Sequence, residues 1–333
     1  MIETKFAIHI HTNYSDGNAS HHDLAKIASQ AGLDGIITTD HNIWVEGIEG
    51  YYGEGKKKTM VLVGEEIHDR ALEPPGNHML VVNAQKEMLP FSQEPQRLID
   101  QINRSGGLSF IAHPIEDALE MFGEKDFSWR NWDIEQFTGI ELWNQLSEFK
   151  SVTTDLFSAA INALFPRRMS LGPLDRTLAL WDELISTRGK PVVAVGGVDA
   201  HRLIKSFGLI KIKLYPYLHH FRSVTTHILL PTPLTGKFID DRNKVIDALR
   251  KGHCFVAYDL PSPTDGFRFS AHNNDGTFIM GDQIRMTGGL TLQIRLPHRE
   301  QCRLLKDGKS IKEWSDRDVC TYTTTEPGVY RVE

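Results

Sequence analysis

Only three cysteines, Cys254, Cys302 and Cys320, are spread over 333 residues. Their odd number and wide spacing exclude a disulfide framework and a cysteine-based zinc site. Positive charge is also in short supply: 37 Lys and Arg face 43 Asp and Glu, a net charge of −6. That balance gives no general attraction to nucleic acid or to an anionic membrane. The basic run Lys56-Lys57-Lys58 is too short for a long nucleic-acid track. No apolar run approaches the roughly 20 residues of a bilayer span. Met1 leads almost directly into a strand-like run, without the pattern of a secretory leader. These absences set the expectation of a cytoplasmic protein with no membrane partner. Neither a GxSxG nucleophile turn nor a GxxxxGK[ST] phosphate loop is present.

What is abundant is histidine, fifteen in all, many of them at the ends of apolar runs. The first such run, FAIHIHT at 6–12, carries His9 and His11 two positions apart. On a strand, that spacing puts both on one face together with Ala7, while Phe6, Ile8 and Ile10 pack on the other. Further strand-like runs follow at 33–39 (LDGIITT), 60–67 (MVLVGEEI), 78–82 (HMLVV), 108–112 (LSFIA), 139–144 (GIELWN) and 191–198 (PVVAVGGV). Helical patterns lie between many of them. One starts at a Ser20 cap and stops at Gly32, and another spans 94–105. Strands apolar on both faces that alternate with helices indicate a mostly parallel, buried sheet. Seven of them favour an α/β barrel, although an open sheet has the same pattern. One more strand, a helix near 240–251 and CFVAYD complete this unit at about residue 260. From Pro261 the helical patterns stop. LTLQIRL at 290–296 alternates, and Asp307-Gly308 marks a hairpin. Residues 261–333 are expected to form a small, antiparallel, sandwich-like all-β domain that covers the barrel.

The strand ends are chemically biased. His9, His11 and Asp16 follow the first, Asp40 and His41 the second, and Glu65, Glu66 and His68 the third. His113 follows the fifth, and Asp199 and His201 the seventh. In a barrel, all C-terminal strand ends open on one face. His78 begins its strand instead, but the gap after Ile67 is too short for a crossover helix. A hairpin-like pair would bring His78 back beside Glu66. Histidine and carboxylate without cysteine suit zinc, manganese or iron. Six of these histidines and three of these carboxylates already exceed what one ion coordinates, so two or three divalent ions are expected, with Glu66 as a bridge.

Taken in order, HxHTxxSDG at 9–17, TTDH at 38–41, GxE at 64–66, His78, His113-Pro114 and Asp199-Ala200-His201 resemble the polymerase-and-histidinol-phosphatase (PHP) superfamily of metal-dependent hydrolases. The resemblance implies a distorted (β/α)7 TIM-like barrel over 1–260 with a trinuclear metal site; it does not extend to 261–333. Carried over by motif, it implies that His9, His11, Glu66 and Asp199 hold one ion. Glu66 then bridges to a second ion held by His78 and His113, and Asp16, His41 and His201 hold a third. Some members have histidine where this chain has Asp16. The implied activity is a phosphoesterase in which a metal-bound hydroxide attacks a monoester, a nucleotide or a short oligonucleotide. Two alternatives stand beside it: a hydrolase of carboxylic esters, carbamates or amides, and a non-catalytic module stabilised by metal. Asp40 and His68 are expected behind the ligands, Asp40 orienting a ligand histidine. Asn144, Arg130, Arg202 and Lys205 are candidate substrate contacts. Trp44, Tyr51, Tyr52 and Trp143 are candidate pocket walls.

Overall fold

The computed structural model describes residues 1–55, 58–153, 155, 158, 172–201, 204–207, 210–213 and 216–333. Its larger unit is built on a nearly closed mixed sheet. The strands are β1 (Ile2–Ile8), β2 (Gly35–His41), β3 (Gly50–Tyr52), β4 (Thr59–Asp69), β5 (Gly76–Val82), β6 (Leu108–Ile111), β7 (Gly139–Asn144) and β8 (Val193–Gly197). A separate two-stranded ribbon, β9 (Ile204–Phe207) and β10 (Ile210–Lys213), precedes β11 (Val224–Leu230) and β12 (Cys254–Tyr258). The sheet runs β12-β11-β1-β2-β4-β5-β6-β7-β8, with β3 against β4. Tyr51 and Tyr52 thus belong to a short strand.

The sheet is less parallel than the alternation of strands and helices suggests. β1, β2 and β4 are parallel, as are β6, β7 and β8. β5 is antiparallel to both of its neighbours, because Pro74-Pro75-Gly76 returns the chain without a crossover helix. β11 is antiparallel to β1 and β12. The seam closes just past the strand ends: Val198 N donates to Ile8 O at 2.9 Å, and His11 N donates to Ala200 O at 3.1 Å. Inside the barrel, Phe6, Ile8, Ile37, Leu62, Leu80, Phe110, Val195 and Ile228 form one buried cluster. Outside, Ala7, Ile10, Ile36 and Val61 pack on helix His21–Ala31 through Leu24, Ala25 and Ala28. The Ser20 cap accepts from Asp23 N, and Gly32 ends that helix at φ 84°. Leu98, Ile99 and Ile102 of helix Pro95–Arg104 cover Met79, Val81 and Ile111. No described helix is long and apolar enough to cross a membrane.

β1 ends at Ile8, four residues earlier than the alternation of 6–12 suggests. Phe6 and Ile8 point into the barrel, while Ala7 points out. Continued alternation would turn His9 outward. His9 instead has φ 67°, a left-handed conformation that breaks the strand. Ile10 then packs outside and the His9 and His11 rings turn inward. The shared face of the two histidines is therefore real, but Ala7 is not on it.

Between Tyr258 and Arg268 the chain passes to a second sheet of five antiparallel strands. These are β13 (Arg268–Asn273), β14 (Gly276–Ile279), β15 (Leu290–Lys306), β16 (Lys309–Thr324) and β17 (Tyr330–Val332). The β15–β16 hairpin is long, with register shifts between Arg295 and Cys302. Leu292 and Ile294 before the shifts share one core with Cys302 and Leu304 after them. The sandwich-like core is thus folded from a single sheet.

The tail docks at the base and flank of the barrel, not across its mouth as a cover. Glu3, at the start of β1, accepts from Gly266 N at 2.9 Å and pairs with Arg268. His253, just before β12, meets Asp282 at 2.9 Å. On the flank, Arg331 is held by Asp182 at 2.9 Å. Behind Glu3 lies buried His227, with Nδ1 at 2.6 Å from Glu3 and Nε2 at 3.2 Å from Asp259. Burial opposes charge on Glu3, but bonds from His227, Arg268 and Gly266 bring it down to about 2. Burial likewise opposes charge on His227, yet Asp259 and Glu3 raise it above its ordinary value. Glu3→Gln should cost about 1–3 kcal/mol near pH 6. The wild-type advantage should shrink as pH falls from 4.5 to about 2, where the unfolded carboxyl takes up its proton before the folded one. Urea unfolding of both chains at stepped pH measures this; a gap that does not narrow in acid would contradict it.

Candidate metal centre

His9, His11, Asp16, His41, Glu66, His78, His113, Asp199 and His201, the nine side chains carried over by motif, meet at the mouth of the barrel, and Glu66 is at their middle. Its inward direction follows from alternation on β4, where Leu62 is an inward neighbour and Glu65 faces away. Glu65 accepts from Met88 N at 3.1 Å and, by burial and the nearby Glu87 carboxyl, is pushed up to about 10. Glu66 Oε2 lies 3.3 Å from His9 Nε2 and 3.3 Å from His11 Nε2. Asp199 Oδ1 stands 3.4 and 3.5 Å from the same two nitrogens. None of these four buried atoms has a hydrogen-bond partner. These four contacts make His9, His11, Glu66 and Asp199 a group of facing nitrogen and oxygen atoms of the types that ligate zinc.

The other oxygen, Oε1, faces a different pair, His78 Nδ1 at 2.7 Å and His113 Nε2 at 3.2 Å. His78 arrives from the head of β5, which the hairpin with β4 sets beside Glu66. Asp16 Oδ2, His41 Nε2 and His201 Nε2 form a third group, a near-equilateral triangle with sides of 3.5, 3.5 and 3.6 Å. This group is the open one: the Asp16 side chain is 54% exposed and that of His41 22%, against 1% for Glu66.

Backbone conformation and neighbouring polar groups aim these side chains. His113 follows Phe110 and Ala112, which alternate into the interior, and only a φ of 25° turns it inward as well. Asp199 also has a positive φ, 46°. Such strain in non-glycine residues persists where the surroundings over-determine it. Asp40 takes a different place from the one expected. It accepts from Thr12 N, Thr12 Oγ1 and Ser15 Oγ at 2.6–2.8 Å, clamping the turn that presents Asp16 rather than orienting a histidine ring. His68 stacks on His78, with centroids 4.6 Å apart, and leaves Nδ1 buried without a partner near the His41 ring. His201 Nδ1 is placed by the backbone oxygen of Asp199 at 2.9 Å.

The sequence pattern did not single out Glu141, Glu116 or Lys150. Glu141, buried on β7, lies 2.8 Å from His9 Nδ1. Glu116 lies 3.2 Å from His113 Nδ1 and pairs with buried Lys150. A carboxyl group in the otherwise apolar run GIELW was the available signal for the first; Glu116 had only its spacing of three from His113. Asn144 is not free for substrate, since its amide bonds Glu141, Asp199 and Ser147 N. The Arg130 guanidinium packs near Gly76, two residues before His78. Arg202 lies outside the described residues, as does the side chain of Lys205. Trp143 stacks on Tyr258, and the Tyr51 and Tyr52 hydroxyls bond Asp241 and Ile48 O, so these rings serve packing.

The charges fit cations. Burial would raise Glu66, but His41, His9 and His78 hold it well below the ordinary carboxylate range. Burial would raise Asp199 too, and His9 and His201 depress it likewise. Without cations, protons take their place. Despite burial, Glu66 and Asp16 push His41 up to about 10, while Glu116 and Glu66 push His113 up to about 9. His11 goes the other way, to about 3, through burial and repulsion by His201 and His41. Orphaned nitrogens and oxygens, a carboxylate with two faces and competing protons together suit divalent ions. The turn that carries Asp16 tolerates no side chain at Gly17, where a Cβ would overlap the carbonyl oxygens of His11 and Thr12. Gly17→Ala should therefore destabilise the fold by about 1–3 kcal/mol in denaturant titration, and an unchanged midpoint would contradict the close packing.

The PHP domain family model matches residues 7–92. Among solved structures, the chain is similar to a two-domain protein from Bacteroides vulgatus ATCC 8482, described as containing a predicted PHP-like metal-dependent phosphoesterase. Identity is 14%, covering 97% of this chain and 85% of that one, with a TM-score of 0.44. It is also similar to a candidate metal-dependent phosphoesterase from Bifidobacterium adolescentis ATCC 15703. Identity there is 14%, covering 59% of this chain and 87% of that one, with a TM-score of 0.32. No curated protein matches. The matched segment includes His9, His11, Asp16, His41, Glu66 and His78.

Proposed function

We propose that the protein is a metal-dependent phosphoesterase acting on a small-molecule or short phosphoester substrate. The observation that carries this reading is Glu66, one buried carboxylate whose two oxygens face two different sets of imidazoles, with a third group of ligand atoms beside it. His9, His11, Glu66 and Asp199 would hold one divalent ion. Glu66, His78 and His113 would hold a second, and Asp16, His41 and His201 a third. When bound, such ions supply Lewis acidity and acidify water enough for nucleophilic attack near neutral pH.

The chain's own residues do the rest. Glu66 and Asp199 keep negative charge at the middle of the cluster and fix the spacing of the imidazoles. The exposed Asp16–His41–His201 face is where substrate would enter, because the opposite side is closed by the apolar interior of the barrel. No thiol takes part: Cys254 is buried in the barrel cluster, and Cys302 and Cys320 are in the tail core. Several cations around one point suit a phosphoester, whose transition-state charge is spread over several oxygens. Arg130 is retained as a candidate phosphate contact.

Protein purified without chelator should contain more than one transition-metal equivalent per chain by elemental analysis. Reconstituted with zinc, manganese or iron, it should hydrolyse phosphoesters faster than carboxylic esters or carbamates in a side-by-side screen. Asp199→Ala should lower that rate by about 100-fold or more with far-UV circular dichroism unchanged. A folded, metal-free protein indifferent to chelator would overturn the reading, and preference for a carbamate or carboxylic ester would reassign the substrate.

A further inference from the structure

β7 contributes no candidate ligand, yet its Glu141 touches three of the segments that do. Glu141 Oε1 lies 2.8 Å from His9 Nδ1. Oε2 accepts from His113 N at 2.7 Å and from Asn144 Nδ2 at 2.9 Å. That same Asn144 nitrogen donates to Asp199 Oδ2 at 3.1 Å. The amide has only one orientation open to it, because its oxygen caps helix Gln145–Ser151 by accepting from Ser147 N at 2.9 Å. Glu141 is 1% exposed. Its carboxylate occupies a niche made by Gly197, where a Cβ would overlap Oε1 and crowd His9 Cβ.

We propose that Glu141 is the positioning residue of the metal centre, holding His9 with its proton on Nδ1 and locking the segments that carry His9, His113 and Asp199 into one unit. This rests on reading the cluster as a metal centre. A carboxylate only accepts, so a neutral His9 must donate through Nδ1 and present the Nε2 lone pair toward Glu66 Oε2 and Asp199 Oδ1. The bond from His113 N helps secure a backbone held at φ 25°. Asn144 occupies Asp199 Oδ2 and leaves Oδ1 to face His9, His11 and, at 3.0 Å, His201 Nδ1. The Asp16–His41–His201 group receives no contact from Glu141 among the described bonds.

Glu141→Gln separates positioning from plain packing. His113 N and Asn144 Nδ2 both donate, so they require the amide oxygen at the Oε2 position. The amide NH2 must then face His9 Nδ1, which becomes an acceptor and moves its proton to Nε2, where it blocks ligation. Zinc titration of the metal-free full chain against a chromophoric chelator, with circular dichroism as the folding check, reads the result. Expected is an about 10–100-fold loss of affinity at the positions using His9, Asp199 and His113. One zinc equivalent should keep its wild-type affinity. Gly197→Ala, which displaces the carboxylate without removing it, should weaken the same positions and decides the matter if Glu141→Gln does not fold. Affinities within twofold of wild type at every position, or an equal loss at all of them, would overturn the proposal. A wild-type chain that binds no zinc, manganese or iron would instead overturn the metal reading, and this inference with it.

Discussion

Five imidazoles converge on one buried carboxylate. His9, His11 and His41 approach one oxygen of Glu66, and His78 and His113 approach the other. Such a group is unstable in isolation, because carboxylate and imidazoles have been withdrawn from water and several nitrogens have no hydrogen-bond partner. It persists only where the surrounding fold prevents the rings from swinging away. The barrel provides that restraint by bringing strand ends far apart in sequence to one rim, with β1, β2, β4, β5 and β6 each held between two neighbours.

The restraint reaches beyond the strands. At His9 and His113 the left-handed backbone reverses the alternation of inward and outward side chains. Without that reversal both rings would face the covering helices. Closure of the sheet depends on the same place, since Val198 and Ala200 pair with Ile8, His9 and Ile10 just where the backbone turns. The seam of the barrel and the centre of the cluster are therefore one construction, and a distortion of either is felt in the other.

The gathering of histidines and carboxylates at the strand ends was legible because their types recur there and because β4 and β5 are regular. Alternation alone places Glu66 inward and Glu65 outward, and the short Ile67-to-His78 gap correctly implies an antiparallel return. The backbone at His9 was not legible. A positive φ there is imposed by the closing seam, and the local run FAIHIHT reads as an unbroken strand. Glu141 was hidden for another reason: a lone carboxyl in GIELWN has no spacing partner, and its role exists only once β1, β6 and β8 surround it. Asn144 was misread as a substrate contact because the donors and acceptors that saturate it come from three separate segments. The five-stranded tail was legible as antiparallel β structure, but its docking site was not. That depends on Glu3 and His253, which carry no pattern.

Attachment of the tail from below has a consequence for the molecule's modularity. Glu3 and His253 are at the opposite end of the barrel from His9 and Asp199, so these anchors of the appendage lie well away from the rim that gathers the histidines. Anchorage and access are thereby decoupled. The appendage can be lengthened, exchanged or recruited to another surface without narrowing the approach to the histidine cluster, and the rim can diversify without loosening the anchor. The barrel thus has two independently variable ends: one gathers the buried histidines and carboxylates, the other anchors the five-stranded sheet.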